Sequence, residues 1–129
     1  MNIPLRKLGK SDLQISPLGL GCWQFSKQAG LVGKYWPPLT DEDTCRIVKA
    51  SIDGGINWFD TAEIYGRGKS EQGLADALKK NGVQPGDAII ATKWWPIGRR
   101  ASSIKKTINK CLDNLNGYQI SLYQVHNPF

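Results

Sequence analysis

Residues 56–66 read Ile-Asn-Trp-Phe-Asp-Thr-Ala-Glu-Ile-Tyr-Gly and join a short apolar segment to a polar turn. The apolar part, Ile56–Phe59, predicts a strand, and Asp60 follows it directly. Two later apolar segments are also followed at once by an ionisable side chain: Ala88–Thr92 by Lys93, and Ile120–Val125 by His126. Asp60, Lys93 and His126 are 33 residues apart at each step. This spacing indicates successive structural units of equal length.

Helical patterns separate these strands. A capping hydroxyl at Thr40 and acidic residues at 41–43 predict a helix that ends at Gly54. Two further helices are predicted from apolar residues at helical spacing, from Ser70 to Gly82 and from Ser102 or Ser103 to Gly117. The elements before them are a hairpin (Leu5–Leu8 and Leu13–Ile15), a strand (Leu18–Cys22) and a long loop (Trp23–Leu39). Gly19 and Gly21 in that strand predict the close approach of another backbone or a ligand.

The order of these elements determines the fold class. Strands that alternate with helices pair in parallel through right-handed crossovers. A dinucleotide-binding sheet fits less well, because no G-x-G-x-x-G follows the first strand. Ankyrin or TPR repeats have a similar period but lack such strands. We predict an α/β fold over residues 1–129: the N-terminal half of a TIM (β/α)8 barrel, with a β-hairpin cap, four parallel strands and three helices.

Composition excludes several classes of function. The chain has 129 residues and a net charge of +6, and its Lys and Arg residues are scattered rather than clustered. This distribution predicts no nucleic-acid partner. The segment Met1–Gly9 has no apolar core of a signal peptide, and no stretch is long enough to span a membrane. The three cysteines form no metal-type pair, so we expect no metal site, reduced thiols and a cytoplasmic location.

The polar residues that follow the strands predict an active site. In a barrel the carboxyl ends of the strands line one mouth, so Asp60, Lys93 and His126 would meet there, with Tyr65 in the adjoining loop. A phenol with a pKa near about 10 is a weak acid. The ammonium of Lys93, paired with Asp60, is expected to lower that pKa, while His126 donates a hydrogen bond to a carbonyl oxygen. No side chain supplies hydride, so a reduced nicotinamide cofactor is implied.

Each of these residues, taken alone, has an ordinary interpretation. Asp60 could cap a turn, Lys93 could be a solvated strand end, and Tyr65 could be a rim aromatic. His126 alone is typical of a packed or turn histidine. The functional interpretation depends on their recurrence at matched positions in consecutive units. Three tryptophans could be either pocket walls or core residues: Trp36, Trp94 and Trp95.

The motifs resemble those of the aldo-keto reductase family over the whole chain. They are Gly55–Gly66 followed by Ser70-Glu71, Ala91-Thr92-Lys93, Tyr123–His126, and Leu18–Gly21 with Trp23. The resemblance implies an NADPH-dependent enzyme that reduces aldehydes or ketones to alcohols. Tyr65 would then be the general acid, tuned by Lys93, with Asp60 supporting Lys93 and contacting the cofactor ribose. Gly21, Cys22 and Trp23 would lie near the nicotinamide, and Trp23 and His126 near the carbonyl substrate.

The length of the chain leaves its activity open. A closed barrel needs eight strands and typically about 250 residues, and the remaining cofactor contacts of the family come largely from the later strands. We expect a truncated or partial reductase whose open barrel edges invite self-association. Two alternatives remain: a dimer in which two halves complete a barrel, and a non-catalytic remnant that binds cofactor or regulates.

Overall fold

A short hairpin precedes the main sheet in the computed structural model, which describes residues 3–127. Strands β1 (Arg6–Lys7) and β2 (Gln14–Ile15) are antiparallel. In the turn between them, the Leu8 N–H donates to the carbonyl oxygen of Leu13 at 2.9 Å. The predicted hairpin is confirmed, although its paired strands are shorter than the apolar segments suggested.

Four parallel strands form the main sheet, in the same order as in the chain: β3 (Leu20–Gly21), β4 (Trp58–Asp60), β5 (Ile89–Trp94) and β6 (Leu122–Val125). Four helices lie between them: α1 (Gly30–Gly33), α2 (Asp41–Asp53), α3 (Lys69–Lys80) and α4 (Ile104–Leu115). Helix α1 is a single turn, and the other three are the predicted crossovers. The parallel α/β arrangement is therefore confirmed.

Helix α2 begins where its sequence pattern predicts. The Thr40 hydroxyl accepts a hydrogen bond from the backbone N–H of Asp43 at 3.0 Å, and the Asp43 carboxylate accepts one from the backbone N–H of Thr40 at 3.3 Å. This reciprocal pair satisfies two N–H groups that have no partner within the helix. Gly54 ends the helix as expected.

The two faces of the sheet have different surroundings, because successive side chains of a strand point to opposite sides. On the convex face the strands pack against the helices, and the fully buried residues there include Phe59, Ile90, Leu74, Leu78 and Leu115. On the concave face, inward residues of all four strands line a hollow of about 530 Å³, which Leu8 and Ile15 of the hairpin segment also line. This hollow is the interior of the half-barrel.

Three details differ from the sequence prediction. Strand β5 continues to Trp94, which pairs with Val125, so Lys93 lies within the strand rather than after it. The long loop contains two helical turns, Trp23–Ser26 and α1. Gly19 is approached by the side chain of Trp58, whose ring a Cβ at Gly19 would overlap, rather than by another backbone.

A buried polar network joins α3 to β5 and α4. Glu71 is fully buried, and one of its carboxyl oxygens accepts from the Thr92 hydroxyl at 2.7 Å. The other oxygen accepts from the side-chain amide of Asn114 at 2.8 Å. The side-chain carbonyl oxygen of Asn114 in turn accepts from the side-chain amide of Gln72 at 3.1 Å. A buried carboxyl group is tolerated here because both of its oxygens have donors.

Within residues 3–127, none of the helices has the length and apolar character that crossing a membrane requires.

Candidate active site

An ion pair lies at the carboxyl edge of the sheet. The Lys93 ammonium donates to the Asp60 carboxylate at 2.6 Å and to the carbonyl oxygen of Thr61 at 2.8 Å. The Lys93 side chain is 14% exposed and that of Asp60 is 32% exposed. The Lys93 ammonium is therefore largely shielded from water, whereas the Asp60 carboxylate is partly exposed. Asp60 and Lys93 come together because β4 and β5 are adjacent and parallel.

Tyr65 begins the short helical turn Tyr65–Gly68 that follows β4. Gly66 has φ of 65°, a conformation in which glycine carries little cost. A Cβ at Gly66 would overlap the carbonyl oxygen of Ser26, so the two backbones meet directly. Gly33 of α1 lies against the same place, because a Cβ there would be 3.3 Å from the Gly66 Cα. The loop that carries Tyr65 is thus fixed by backbone contacts with residues 26–33.

Aromatic side chains surround Tyr65 on the loop side. Trp23 stacks with Tyr65 at a centroid distance of 5.6 Å and with Tyr35 at 4.9 Å. Trp36 contacts Trp23 edge to face at 5.6 Å. The Trp23 indole N–H donates to the carbonyl oxygen of Val32 at 3.0 Å, which fixes the ring against α1. We define Trp23, Tyr35 and Trp36 as the aromatic wall.

His126 directly follows β6, as predicted, and its backbone N–H donates to the carbonyl oxygen of Trp94 at 2.9 Å. Its ring meets Tyr65 edge to face at 5.6 Å and Trp95 edge to face at 5.3 Å. The Nδ1 atom of His126 is buried and has no hydrogen-bond partner among residues 3–127. Asp60, Tyr65, Lys93 and His126 therefore converge at one mouth, as the sequence led us to expect.

The pKa of Tyr65 differs from the sequence prediction. The Lys93 ammonium lies 5.3 Å from the center of the Tyr65 ring, a distance typical of a cation–π contact. Burial nevertheless raises the pKa of the Tyr65 hydroxyl, and the negative charge of Asp60 adds to the increase, with a further contribution from Cys22. The expected lowering is therefore wrong for this structure. The physical reason is that burial of the phenol, together with the negative charge of Asp60, outweighs the effect of the nearby Lys93 ammonium.

The pKa of His126 is lowered, first by burial and then by the positive charge of Lys93. Asp60 and Glu63 act in the opposite direction but do not cancel these effects. The neutral imidazole is thus favoured at neutral pH.

We expect this lowering to be directly measurable, because His126 is the single histidine of the sequence. A titration of its ring proton resonances by NMR should give a midpoint below the ordinary value of about 6.5. Lys93→Met should raise the midpoint, since it removes a nearby positive charge. A wild-type midpoint at or above the ordinary value would contradict the environment described here.

Residues predicted to bind a cofactor are placed differently from one another. Gly21 ends β3, and the space where its Cβ would lie is open. Cys22 is completely buried, with its thiol 3.5 Å from the carbonyl oxygen of Leu20. The thiol is therefore enclosed and packs in the core, whereas the Cys22 backbone lies beside the mouth, where its N–H donates to the carbonyl oxygen of Asp60 at 2.8 Å. Its carbonyl oxygen accepts from the Ser70 hydroxyl at 2.6 Å, which ties the turn to α3.

Several contributors were missed or left undecided by the sequence. Trp95 contacts His126, whereas Trp94 is buried and its indole N–H donates to the Ser103 hydroxyl at 3.0 Å. Trp94 is the last residue of β5 and Trp95 the first residue after it, a boundary that the sequence pattern did not resolve. Glu63 accepts a hydrogen bond from the backbone N–H of Trp95 at 2.6 Å. Nothing in the spacing of residues pointed to this contact.

Known proteins resemble this chain in sequence and in structure. The family model described as "Aldo/keto reductase family" matches residues 17–129. An uncharacterized oxidoreductase of Mycobacterium tuberculosis is 36% identical over 115 residues, which cover 89% of this chain and 34% of that protein. The uncharacterized oxidoreductase YqkF of Bacillus subtilis is 34% identical over 131 residues, covering 94% and 38% respectively.

A solved structure, aldo-keto reductase AKR11C1 from Bacillus halodurans in its holo form, superimposes with a TM-score of 0.76 at 30% identity. The match covers 99% of this chain and 41% of that one. The predicted partial barrel is therefore confirmed. This chain spans only 34% and 38% of the length of the two curated relatives.

Proposed function

The chain belongs to the aldo/keto reductase family, and from this premise we propose that its mouth serves the NADPH-dependent reduction of aldehydes or ketones to alcohols. The observation that carries the proposal is the convergence of the Asp60–Lys93 ion pair with Tyr65 and His126. Asp60 and Lys93 lie in β4 and β5, Tyr65 in the turn after β4, and His126 directly after β6. Each of these side chains lies within contact distance of the next. A phenol, an ammonium and an imidazole at one mouth suit proton delivery to a carbonyl oxygen.

Tyr65 acts as the proton donor in this proposal. Its raised pKa keeps the hydroxyl protonated at neutral pH. An alkoxide is a far stronger base than a phenolate, so the proton passes from the Tyr65 oxygen to the substrate oxygen as negative charge develops there. Lys93 then stabilises the phenolate that is left, and Asp60 holds the ammonium in place. The raised pKa of the resting phenol is compatible with this role.

His126 orients the substrate. A proton on its buried Nδ1 would be an unpaired donor, because that atom has no partner among the described residues. We infer that the neutral imidazole carries its proton on Nε2, the tautomer that can donate to a carbonyl oxygen. A lowered pKa favours this neutral form.

The residues at the mouth fit the nicotinamide end of NADP(H). The Asp60 carboxylate is partly exposed and can accept from a ribose hydroxyl, and the open space beside Gly21 leaves room for a flat ring. When bound, the cofactor would supply hydride to the carbonyl carbon. The aromatic wall and Trp95 supply apolar surface, which suits a small carbonyl substrate with an apolar group. A cytoplasmic location is part of the same proposal.

The proposal is tested by titrating the purified 129-residue chain with NADPH while following nicotinamide fluorescence, and then by adding a panel of aldehydes and ketones. We expect saturable binding, and NADPH oxidation with at least one carbonyl compound that Tyr65→Phe suppresses. Oxidation by the wild-type chain no faster than by that variant, across the whole panel, would overturn the proposal. Size-exclusion chromatography of the same sample reports whether the chain self-associates, which we expect because β3 and β6 are the outer strands of the described sheet.

A further inference from the structure

Glu63 occupies a central position between two loops at the mouth. One of its carboxylate oxygens accepts from the backbone N–H of Trp95 at 2.6 Å and from the Arg99 guanidinium at 2.6 Å. Its side chain is 17% exposed, so both contacts are largely shielded from water. The Glu63 backbone N–H also donates to the carbonyl oxygen of Lys93 at 3.3 Å. The residue therefore connects the Tyr65 loop to the segment that leaves β5.

The segment that follows β5 has little internal support. Within residues 95–99, the Arg99 N–H donates to the carbonyl oxygen of Pro96 at 3.1 Å, and Pro96 itself has no N–H to donate. Arg99 is held from outside by a hydrogen bond to the Thr107 hydroxyl on α4, and its guanidinium lies over the Trp94 ring at 5.7 Å. Glu63 binds the first and last residues of this segment together.

Trp95 links Glu63 to the mouth, because Glu63 binds its backbone and its ring contacts His126. Its ring contacts His126 edge to face at 5.3 Å, and His126 contacts Tyr65 in the same manner at 5.6 Å. The imidazole is thus held between two aromatic rings. One of these rings belongs to the residue whose backbone Glu63 binds.

We propose that Glu63 is a positioning residue that holds Trp95 against His126 and so orients the imidazole toward the substrate carbonyl. The contact itself is a property of the chain, whereas the use of that imidazole rests on the proposed function. The simpler alternative is an ion pair with Arg99 that adds stability and nothing else. A shared oxygen that also binds the Trp95 backbone favours the positioning role, because an ion pair alone needs no such contact.

Two conservative substitutions of Glu63 separate the effect of side-chain length from the effect of charge. Glu63→Gln keeps the length of the side chain and a carbonyl oxygen that can accept both hydrogen bonds. Glu63→Asp keeps the charge but is shorter by one methylene group. If Glu63 positions Trp95, then Glu63→Asp should shift the ring resonances of His126 and weaken the nuclear Overhauser contacts between His126 and Trp95. Glu63→Gln should preserve both signals.

The control is Glu42→Asp, the same change at an exposed position on α2, which should leave the His126 resonances unchanged. The pH midpoint of His126 gives a second signal. The charges that act on this ring are those of Lys93, Asp60 and Glu63. Glu63→Gln should lower the midpoint because it removes one negative charge, while the contacts to Trp95 persist. Unchanged contacts in Glu63→Asp, or equal losses in both variants, would overturn the positioning role.

This experiment needs no turnover, so its outcome is separable from that of the proposed function. In a form of the protein that reduces carbonyls, Glu63→Asp should also lower kcat by about 10-fold, as small misplacements of a substrate-orienting group do. Glu63→Gln should stay close to wild type. If the chain gives the expected NMR result but oxidises no NADPH, the positioning role of Glu63 stands and the proposed reaction is wrong.

Discussion

Replacing Tyr65 with phenylalanine is expected to lower carbonyl reduction by about 10²–10⁴-fold, which is the usual contribution of a positioned general acid. The substitution removes the hydroxyl and leaves the ring that stacks with Trp23 and contacts His126. Affinity for NADPH should therefore change little. The measurement is the initial rate of NADPH oxidation at saturating carbonyl, in a form of the protein that turns over, together with a fluorescence titration of cofactor binding.

Tyr118→Phe is the matched control for this prediction. Its hydroxyl donates to the carbonyl oxygen of Val83 at 2.6 Å, in the connections that follow α3 and α4. Helices of this fold run opposite to the strands, so these connections lie at the end of the sheet away from the mouth. Loss of that hydrogen bond should cost stability and not turnover. Near-normal turnover in Tyr65→Phe would exclude Tyr65 as the proton donor.

Replacing Glu71 with alanine is expected to lower the free energy of unfolding by about 2–5 kcal/mol, since a buried polar group left without a partner costs about 1–3 kcal/mol. Two groups would lose their acceptor, the Thr92 hydroxyl and the Asn114 amide. Because these groups lie on β5 and α4, the substitution removes the hydrogen bonds of Glu71 to both, and of this network only the Gln72–Asn114 hydrogen bond still joins α3 to α4. Urea unfolding of the chain, followed by circular dichroism, measures the effect.

Glu42→Ala provides the comparison, because Glu42 also occupies the first turn of a helix but is exposed. Its effect should stay within about 0.5 kcal/mol, as is usual for surface substitutions. Glu71→Gln should be intermediate, since an amide can accept from Thr92 but presents a donor where Asn114 also presents one. Equal stabilities for Glu71→Ala and Glu42→Ala would show that the buried network adds nothing.

The fold was largely predictable because its signals are periodic. Alternating strand and helix patterns, the capping pair at Thr40 and Asp43, and the 33-residue spacing each reflect local chemistry. Boundaries were less predictable. Strand β5 extends past Lys93 because Trp94 pairs with Val125 on a neighbouring strand, and a pairing of that kind is not visible in either segment alone.

The convergence of Asp60, Tyr65, Lys93 and His126 was predictable from the sequence, but the electrostatics around them were not. Register in a parallel sheet brings Asp60 and Lys93 together, and the sequence shows both. The direction of the shift in the Tyr65 pKa depends on how deeply the phenol is buried and on where Asp60 and its partner Lys93 lie around it. Those are properties of packing. Glu63 escaped notice for the same reason, since its partners lie 32 and 36 residues away.

The direct meeting of Gly66 with the Ser26 backbone has a consequence for how such a chain can diversify. Tyr65 is placed by main-chain atoms, so side chains on the facing segment are released from that duty. Leu31, which is 91% exposed, can accordingly be replaced without changing the backbone contact that places Tyr65. The side chains of residues 26–33 that approach the mouth can therefore be varied by mutation, for instance to change which molecules enter it, while the main-chain contact keeps Tyr65 in place.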